Sequence, residues 1–403
     1  MPTIITPRTP TASLWRGRLP PVGQRISHAT TNATTNATTN AALAGELDMP
    51  GFRLLPVASG TAALGLALRI ARARRPDIKQ PEVLLPGYAC PDLLAAANWA
   101  GVKPLLIDIG ADDHALDRTD LARRCTVATI GIVAVNLLGI ADDLTELRRF
   151  CATRQLLLIE DDAQWLPEPW AAQTLHGDLV VLSFGRGKPV PLVGGGALLL
   201  RESSVETALP VIEPAAHQSL PLTLQIAAYN FVLEPRIYGL LSLMPFLDLG
   251  ATRYHPLDHV AAMSDARMSR LAPNLNRQLL RTRERESWLR ELVVPACPPG
   301  TLDLPIRGGA RTHRLLRYTL LLPSREQRDA LFLALHRAGL GASRMYENVL
   351  PDVSGVPSDV DCPPLPNARQ FAARLLTLPV HEGVTRANAQ AMAAIAMEVR
   401  ERV

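Results

Sequence analysis

The 403-residue chain is 47% apolar and 20% charged, with a net charge of +4 at neutral pH. That apolar share supports a large folded core and excludes global disorder, and so small a positive balance lacks the dense basic footprint of a nucleic-acid binder. At roughly 100–200 residues per domain, the length predicts two or three domains.

Residues 1–50 are rich in Pro, Thr and Asn, and residues 30–40 nearly repeat Thr-Thr-Asn-Ala. Thr and Asn side chains bond to nearby backbone in place of regular structure, so a flexible N-terminal segment is expected over 1–50. No basic-then-apolar leader opens the chain. The longest apolar run, residues 127–141, contains Asn136 and falls short of the ~18–20 residues a membrane span requires. Cys90, Cys125, Cys151, Cys297 and Cys362 are odd in number, widely spaced and form no Cys-x-x-Cys. A disulfide framework and a zinc site are therefore not expected, no metal is assigned, and a reducing cytoplasm is the expected location.

From residue 52 short apolar runs alternate with amphipathic stretches. Strands are predicted at Val83–Pro86, Pro104–Asp108, Val127–Leu137, Leu156–Glu160, Asp178–Ser183 and Ala197–Leu200, and helices at Asp92–Ala100, Thr119–Arg124 and Asp142–Thr153. Strands apolar on both faces and alternating with helices imply a parallel sheet covered on both sides. Residues 219–249 break the rhythm and read as one or two amphipathic helices serving as an interface or lid. A smaller α/β unit follows. It has one long helix over 264–293, strands at Leu316–Leu322 and Leu376–Val380, a capping box at Ser324-Arg325-Glu326-Gln327, and a terminal helix from Thr385. The expected domains are 51–255 and 256–403.

Three stretches of the larger unit carry chemistry. Ser59-Gly60-Thr61 opens a helix, where free N–H groups and the helix dipole attract an anion; alone, it is equally an ordinary N-cap. Glu160-Asp161-Asp162-Ala163-Gln164 ends a buried strand, where ligands sit in open parallel sheets. Ser183-Phe184-Gly185-Arg186-Gly187-Lys188 also follows a strand; a desolvated lysine there is nucleophilic, whereas a lysine taken at random is a solvated surface group. Val193-Gly194-Gly195-Gly196 then permits a tight turn. His114, His176, His217 and His313 are isolated and form no metal pattern.

In order, Ser59–Leu64, Ile159–Gln164, Ser183–Lys188 and Gly194–Ala197 resemble the DegT/StrS family of sugar aminotransferases. The intervening Leu85-Pro86-Gly87-Tyr88 and Leu138-Gly139-Ile140-Ala141-Asp142 fit as well, and so do Gly339–Ser343 and Leu378–His381 in the smaller unit. The resemblance implies the pyridoxal-phosphate transferase fold (fold type I) and a homodimer. In it Lys188 holds pyridoxal 5'-phosphate as a Schiff base and shuttles the proton, Asp161 pairs with the ring nitrogen, and Gln164 lies against the ring or its hydroxyl. Gly60, Thr61 and Ser183 bind the phosphate. It also implies transfer of an amino group, glutamate being the habitual donor, to a keto-sugar nucleotide in polysaccharide, lipopolysaccharide or glycosylated-metabolite biosynthesis; the rival is a non-catalytic scaffold or regulatory relative. Lys188 argues against the family's dehydratases, which carry His there. Cys90 stands where the family has a ring-stacking aromatic, so either Tyr88 replaces it or the ring is held differently. Asp265, ahead of Arg267-Met268, stands where the family has an Asn that reaches the partner's phosphate. An acid there repels phosphate, so either the alignment differs or that contact is absent. Arg186 is an extra cation beside the lysine, suited to a phosphate or to a structural ion pair.

Overall fold

A computed structural model describes residues 17–31, 49–203, 211–216, 219–244 and 252–402. Most of the Thr-Thr-Asn-Ala run, His217 and residues 245–249 lie outside the described residues. The larger sheet has seven strands: β1 (Phe52–Val57), β2 (Glu82–Pro86), β3 (Lys103–Ile107), β4 (Thr129–Val135), β5 (Leu157–Asp161), β6 (Leu179–Ser183) and β7 (Gly196–Arg201). Their spatial order is β1-β7-β6-β5-β4-β2-β3. β2 to β6 pair in parallel, whereas β7 is antiparallel to both β6 and β1. β7 alone therefore runs backward, which makes the sheet mostly rather than wholly parallel. The reversal comes from the loop between Ser183 and Gly196, which closes as a hairpin with those two residues paired. Val193, Gly194 and Gly195 all take positive φ there, so the glycines supply a turn that side chains resist.

Helices α1 (Gly60–Ala73), α2 (Asp92–Ala100), α3 (Arg118–Arg124) and α4 (Leu144–Arg154) cover the sheet. α1 buries nine of its fourteen residues, which its run of Ala and Leu allows without voids. Two further helices, α5 (Leu222–Val232) and α6 (Pro235–Leu241), occupy the stretch expected to act as interface or lid. They leave Leu224, Phe231 and Leu240 each more than half exposed.

The expected continuous helix over 264–293 is instead broken. α7 (Asp265–Leu279) ends, a turn follows, and a short helix resumes at Glu284–Trp288. The cause is Arg281. Its guanidinium donates to the carbonyls of Val380 (3.1 Å) and Leu315 (2.7 Å), pulling the chain inward where periodicity would carry it onward. The smaller sheet follows as β8 (Leu302–Asp303), β9 (Arg317–Leu321) and β10 (Leu375–Pro379), in antiparallel order β10-β9-β8. It is packed by α8 (Arg325–Arg337), α9 (Pro366–Arg374) and α10 (Arg386–Arg402). Ser324 caps α8 by accepting from the Gln327 N–H at 3.3 Å. One buried cluster runs from beneath the larger sheet into the smaller one, from Val57 and Leu106 to Tyr318 and Leu376.

Part of the segment expected to be flexible is described, and it is pinned. Residues 17–31 hold no helix or strand, yet Leu19 and Ile26 are buried. The Asn230 side chain accepts from the Ile26 N–H and donates to its carbonyl, both at 2.9 Å. Leu19 N–H donates to the Gly339 carbonyl at 2.8 Å, which ties the segment to the smaller unit.

Candidate active site

β1, β5 and β6 point the same way, so their carboxyl ends meet at one edge of the sheet, where an open α/β fold places its ligand. Ser59 follows β1 and caps α1, accepting from the Ala62 N–H at 3.0 Å. Gly60 approaches the end of β6 so closely that a Cβ on it would lie 2.6 Å from the Ser183 Cβ. Only glycine fits, and the start of α1 is brought against the Ser183 hydroxyl. Thr61 is committed elsewhere: its hydroxyl donates to Asp92 Oδ2 at 2.9 Å.

Asp161 ends β5 and is 5% exposed. Burial raises its carboxyl, while the Ala163 N–H (3.0 Å from Oδ1) and the Lys188 ammonium pull it down. Lys188 rides the hairpin loop between β6 and β7 and also lowers the Cys90 thiol, which burial has pushed up to about 12. Gln164 Nε2 donates to the Tyr346 hydroxyl at 2.8 Å, and Gln164 Oε1 is buried without a hydrogen-bond partner among the described residues. Gly60, Thr61 and Ser183 therefore meet at one point of the strand edge, and Asp161, Gln164 and Lys188 stand along it. The structure adds Asp92 and Tyr346, neither of which was singled out from the sequence. Asp92 had a visible place at the start of a predicted helix, but only the fold carries it to Thr61.

Tyr88 does not replace the missing ring-stacking side chain. Its hydroxyl donates to the carbonyl of Met345 at 2.6 Å, and its ring packs edge-on against Tyr346 and Phe371. It belongs to the seam between the two units, while Cys90 is the side chain that stands in the site. Arg186 and Asp265 are both exposed. Glu168 accepts the Arg283 and Arg314 guanidiniums near His313, whose ring packs on Trp165, so that histidine is structural. His381 is likewise buried, its ring nitrogen 2.9 Å from the Pro20 carbonyl.

Behind Asp161, Glu160 and Asp162 share the Asn136 side chain, whose Nδ2 lies 2.6 Å from Asp162 Oδ1 and 3.4 Å from Glu160 Oε1. Burial raises the Glu160 carboxyl to about 7, but it also accepts the N–H groups of Gly177 (2.7 Å) and His176 (2.8 Å), so of the two it is the member that ionises first. Asp162 Oδ2 has no such partner among the described residues, and burial plus the Glu160 charge hold its carboxyl well above the ordinary range. A folded chain that keeps a proton the unfolded chain releases is stabilised at acid pH and loses that stability as pH rises. Asp162→Asn copies the protonated form. We expect the urea unfolding free energy to fall by at least about 1 kcal/mol less between pH 5 and pH 8 in this variant than in the parent. Equal losses would show that Asp162 is ionised in the fold.

A model of the DegT/DnrJ/EryC1/StrS aminotransferase family matches residues 53–396. The chain belongs to this family. The family makes it a pyridoxal-phosphate-dependent aminotransferase. It is 25% identical over 352 residues to the dTDP-4-dehydro-2,3,6-trideoxy-D-glucose 4-aminotransferase of Saccharopolyspora spinosa, covering 83% of this chain and 81% of that one. It is 37% identical over 112 residues to the L-glutamine:2-deoxy-scyllo-inosose aminotransferase of Streptomyces kanamyceticus, a match spanning 27% of this chain and only a quarter of that relative's length. Among solved structures it resembles the PLP form of Spr1654 from Streptococcus pneumoniae, described as a sugar aminotransferase, with a TM-score of 0.67 at 19% identity, covering 96% of this chain and 99% of that one. The aminotransferase thus has the fold-type-I architecture, its seven-stranded sheet and smaller unit included.

Proposed function

We propose that this aminotransferase moves an amino group, from glutamate or a close analogue, onto the ketone of a sugar nucleotide, with Lys188 as its catalytic group. The observation that carries the proposal is the placing of Lys188 within electrostatic reach of Asp161, at the strand edge where Gly60 meets Ser183. The residues present fit pyridoxal phosphate. The start of α1 and the Ser183 hydroxyl form a cradle for its phosphate, closed so tightly that a Cβ at position 60 would fill it. With its hydroxyl turned to Asp92, Thr61 contributes through its backbone N–H. Asp161 would be the buried anion for the ring nitrogen, and Gln164 Oε1, which has no hydrogen-bond partner among the described residues, would accept a hydrogen bond from the ring side.

The bound cofactor supplies an electron sink for negative charge developing at the reacting carbon. The chain supplies the rest. Lys188 Nζ anchors the cofactor, then takes the proton from the donor's Cα as general base and returns one as general acid when the sugar carbon is aminated. Asp161, held at the end of β5, keeps the ring nitrogen charged. The wall made by the buried Tyr346 and the half-buried Cys90 limits water around these transfers.

Retention of both Lys188 and Asp161 favours catalysis over a scaffold that keeps only the fold. The sugar-nucleotide substrate is supported by the dTDP-sugar named for the Saccharopolyspora relative over four fifths of its length. The test is to incubate the protein with pyridoxal phosphate, glutamate or glutamine, and a panel of UDP- and dTDP-keto sugars, and to analyse the products by mass spectrometry. An amino-sugar nucleotide formed with one donor is the expected result. Donor turnover with no sugar of the panel aminated would contradict the substrate class.

A further inference from the structure

A cavity of about 650 Å³ opens beside the site, between the N-terminal segment, α6 and the smaller unit. Its lining includes Arg18, Tyr238, Arg317, Arg344 and Tyr346. Tyr346 is the wall shared with the active site, because its hydroxyl accepts from Gln164 on the other side. The cations of this cavity are not alike. The Arg18 guanidinium donates to the His336 carbonyl. Arg344 is neutralised by Glu347 (2.6 Å) and Asp329 (3.4 Å) and lies over the Phe332 ring.

Arg317 differs from both. It opens β9, opposite Pro379 of β10, and its guanidinium lies among Tyr88, Tyr238 and Tyr346. Nε and Nη1 are sealed from solvent, and no hydrogen-bond partner reaches them among the described residues. Burial lowers its pKa to about 10, which still leaves it a cation at neutral pH. Two other arginines of this unit are better provided for: Arg281 donates to two carbonyls, and Arg328 to two carbonyls and to Asp329. Burying a guanidinium without an anion or carbonyl is costly, and its planar fork matches a carboxylate or phosphate.

We propose that this cavity is an oxyanion subsite of the active site, in which Arg317 receives a carboxylate or phosphate group of a substrate. Neutral tyrosines around the guanidinium leave the charge undiluted and give the anion a dry wall. Tyr346 sets the bound group one side chain away from Gln164 and the lysine loop. The proposal rests on the aminotransferase function of the neighbouring site, and two sources offer the right chemistry: a carboxylate of the amino donor and the diphosphate of a sugar nucleotide.

The test is isothermal titration of the holoenzyme with 2-oxoglutarate and, separately, with inorganic pyrophosphate, in the parent, Arg317→Met and Arg317→Lys proteins. Methionine fills similar space without charge, and removal of an unpaired cation is not expected to lower the melting temperature. In Arg317→Met we expect at least a tenfold loss of affinity for one probe, with partial recovery in Arg317→Lys. A loss confined to 2-oxoglutarate assigns the subsite to the donor carboxylate; a loss confined to pyrophosphate assigns it to the diphosphate. Unchanged affinity for both probes in a folded Arg317→Met protein, or no binding of either probe to the parent, overturns the subsite. Cofactor content is read separately by visible absorption. A protein without cofactor that still shows Arg317-dependent binding would contradict the proposed function and leave the subsite standing.

Discussion

Lys188→Ala is expected to lower the amino-donor half-reaction by at least about 10³-fold, because it removes the covalent anchor and the proton carrier together. Lys188 sits half-buried on the hairpin loop between β6 and β7, so the substitution removes no apolar side chain from the core. Thermal unfolding within a few degrees of the parent is the matching expectation. Stopped-flow absorbance with saturating glutamate reads the rate, and calorimetry reads the fold. A folded variant turning over at the parent's rate would remove Lys188 from the mechanism.

Asp161→Asn keeps the shape at the end of β5 and loses the charge. Asp161 is buried and faces the lysine loop, so no solvent replaces the missing anion. Breaking a buried charge pair by neutralising one partner typically costs about 3–5 kcal/mol, or roughly two to four orders of magnitude in rate where the charge persists into the transition state. A loss of at least about 100-fold is therefore expected, with the cofactor still taken up through the cradle at Gly60 and Ser183. The same stopped-flow measurement checks it. Near-parental turnover would place the ring-nitrogen partner elsewhere.

Much of this site could be read in the sequence because its residues follow strand ends. Apolar runs predict the strands, and parallel strands bring their carboxyl ends to one edge. Asp161, Gln164, Ser183 and Lys188 needed little else to be brought together. The residues that sequence missed are those placed by tertiary contacts. The helix break at Leu280–Arg283 carries no Gly or Pro; it arises because Arg281 finds carbonyls contributed by Leu315 and Val380. Helix α9 went unnoticed because its N-terminal cap is remote: Asp108, some 260 residues earlier, accepts from the N–H groups of Asn367 (3.0 Å) and Ala368 (2.9 Å). Asp92 looked like a helix-start acid, and Arg317 like an ordinary residue inside the strand predicted at Leu316–Leu322. Tyr88 looked available for stacking until the backbone at Met345 and Tyr346 claimed its hydroxyl. The reversed strand β7 was partly announced by Gly194-Gly195-Gly196, since glycines mark a turn but not the direction of the strand that follows.

The central claim is that Lys188 carries the cofactor. It is tested most directly by the visible absorption spectrum of the purified protein before and after borohydride reduction, followed by mapping of the labelled peptide. The expected result is a yellow protein, bleached by glutamate, whose reduced label lies on Lys188. A protein that takes up no pyridoxal phosphate, or one whose label maps to another lysine, would contradict it.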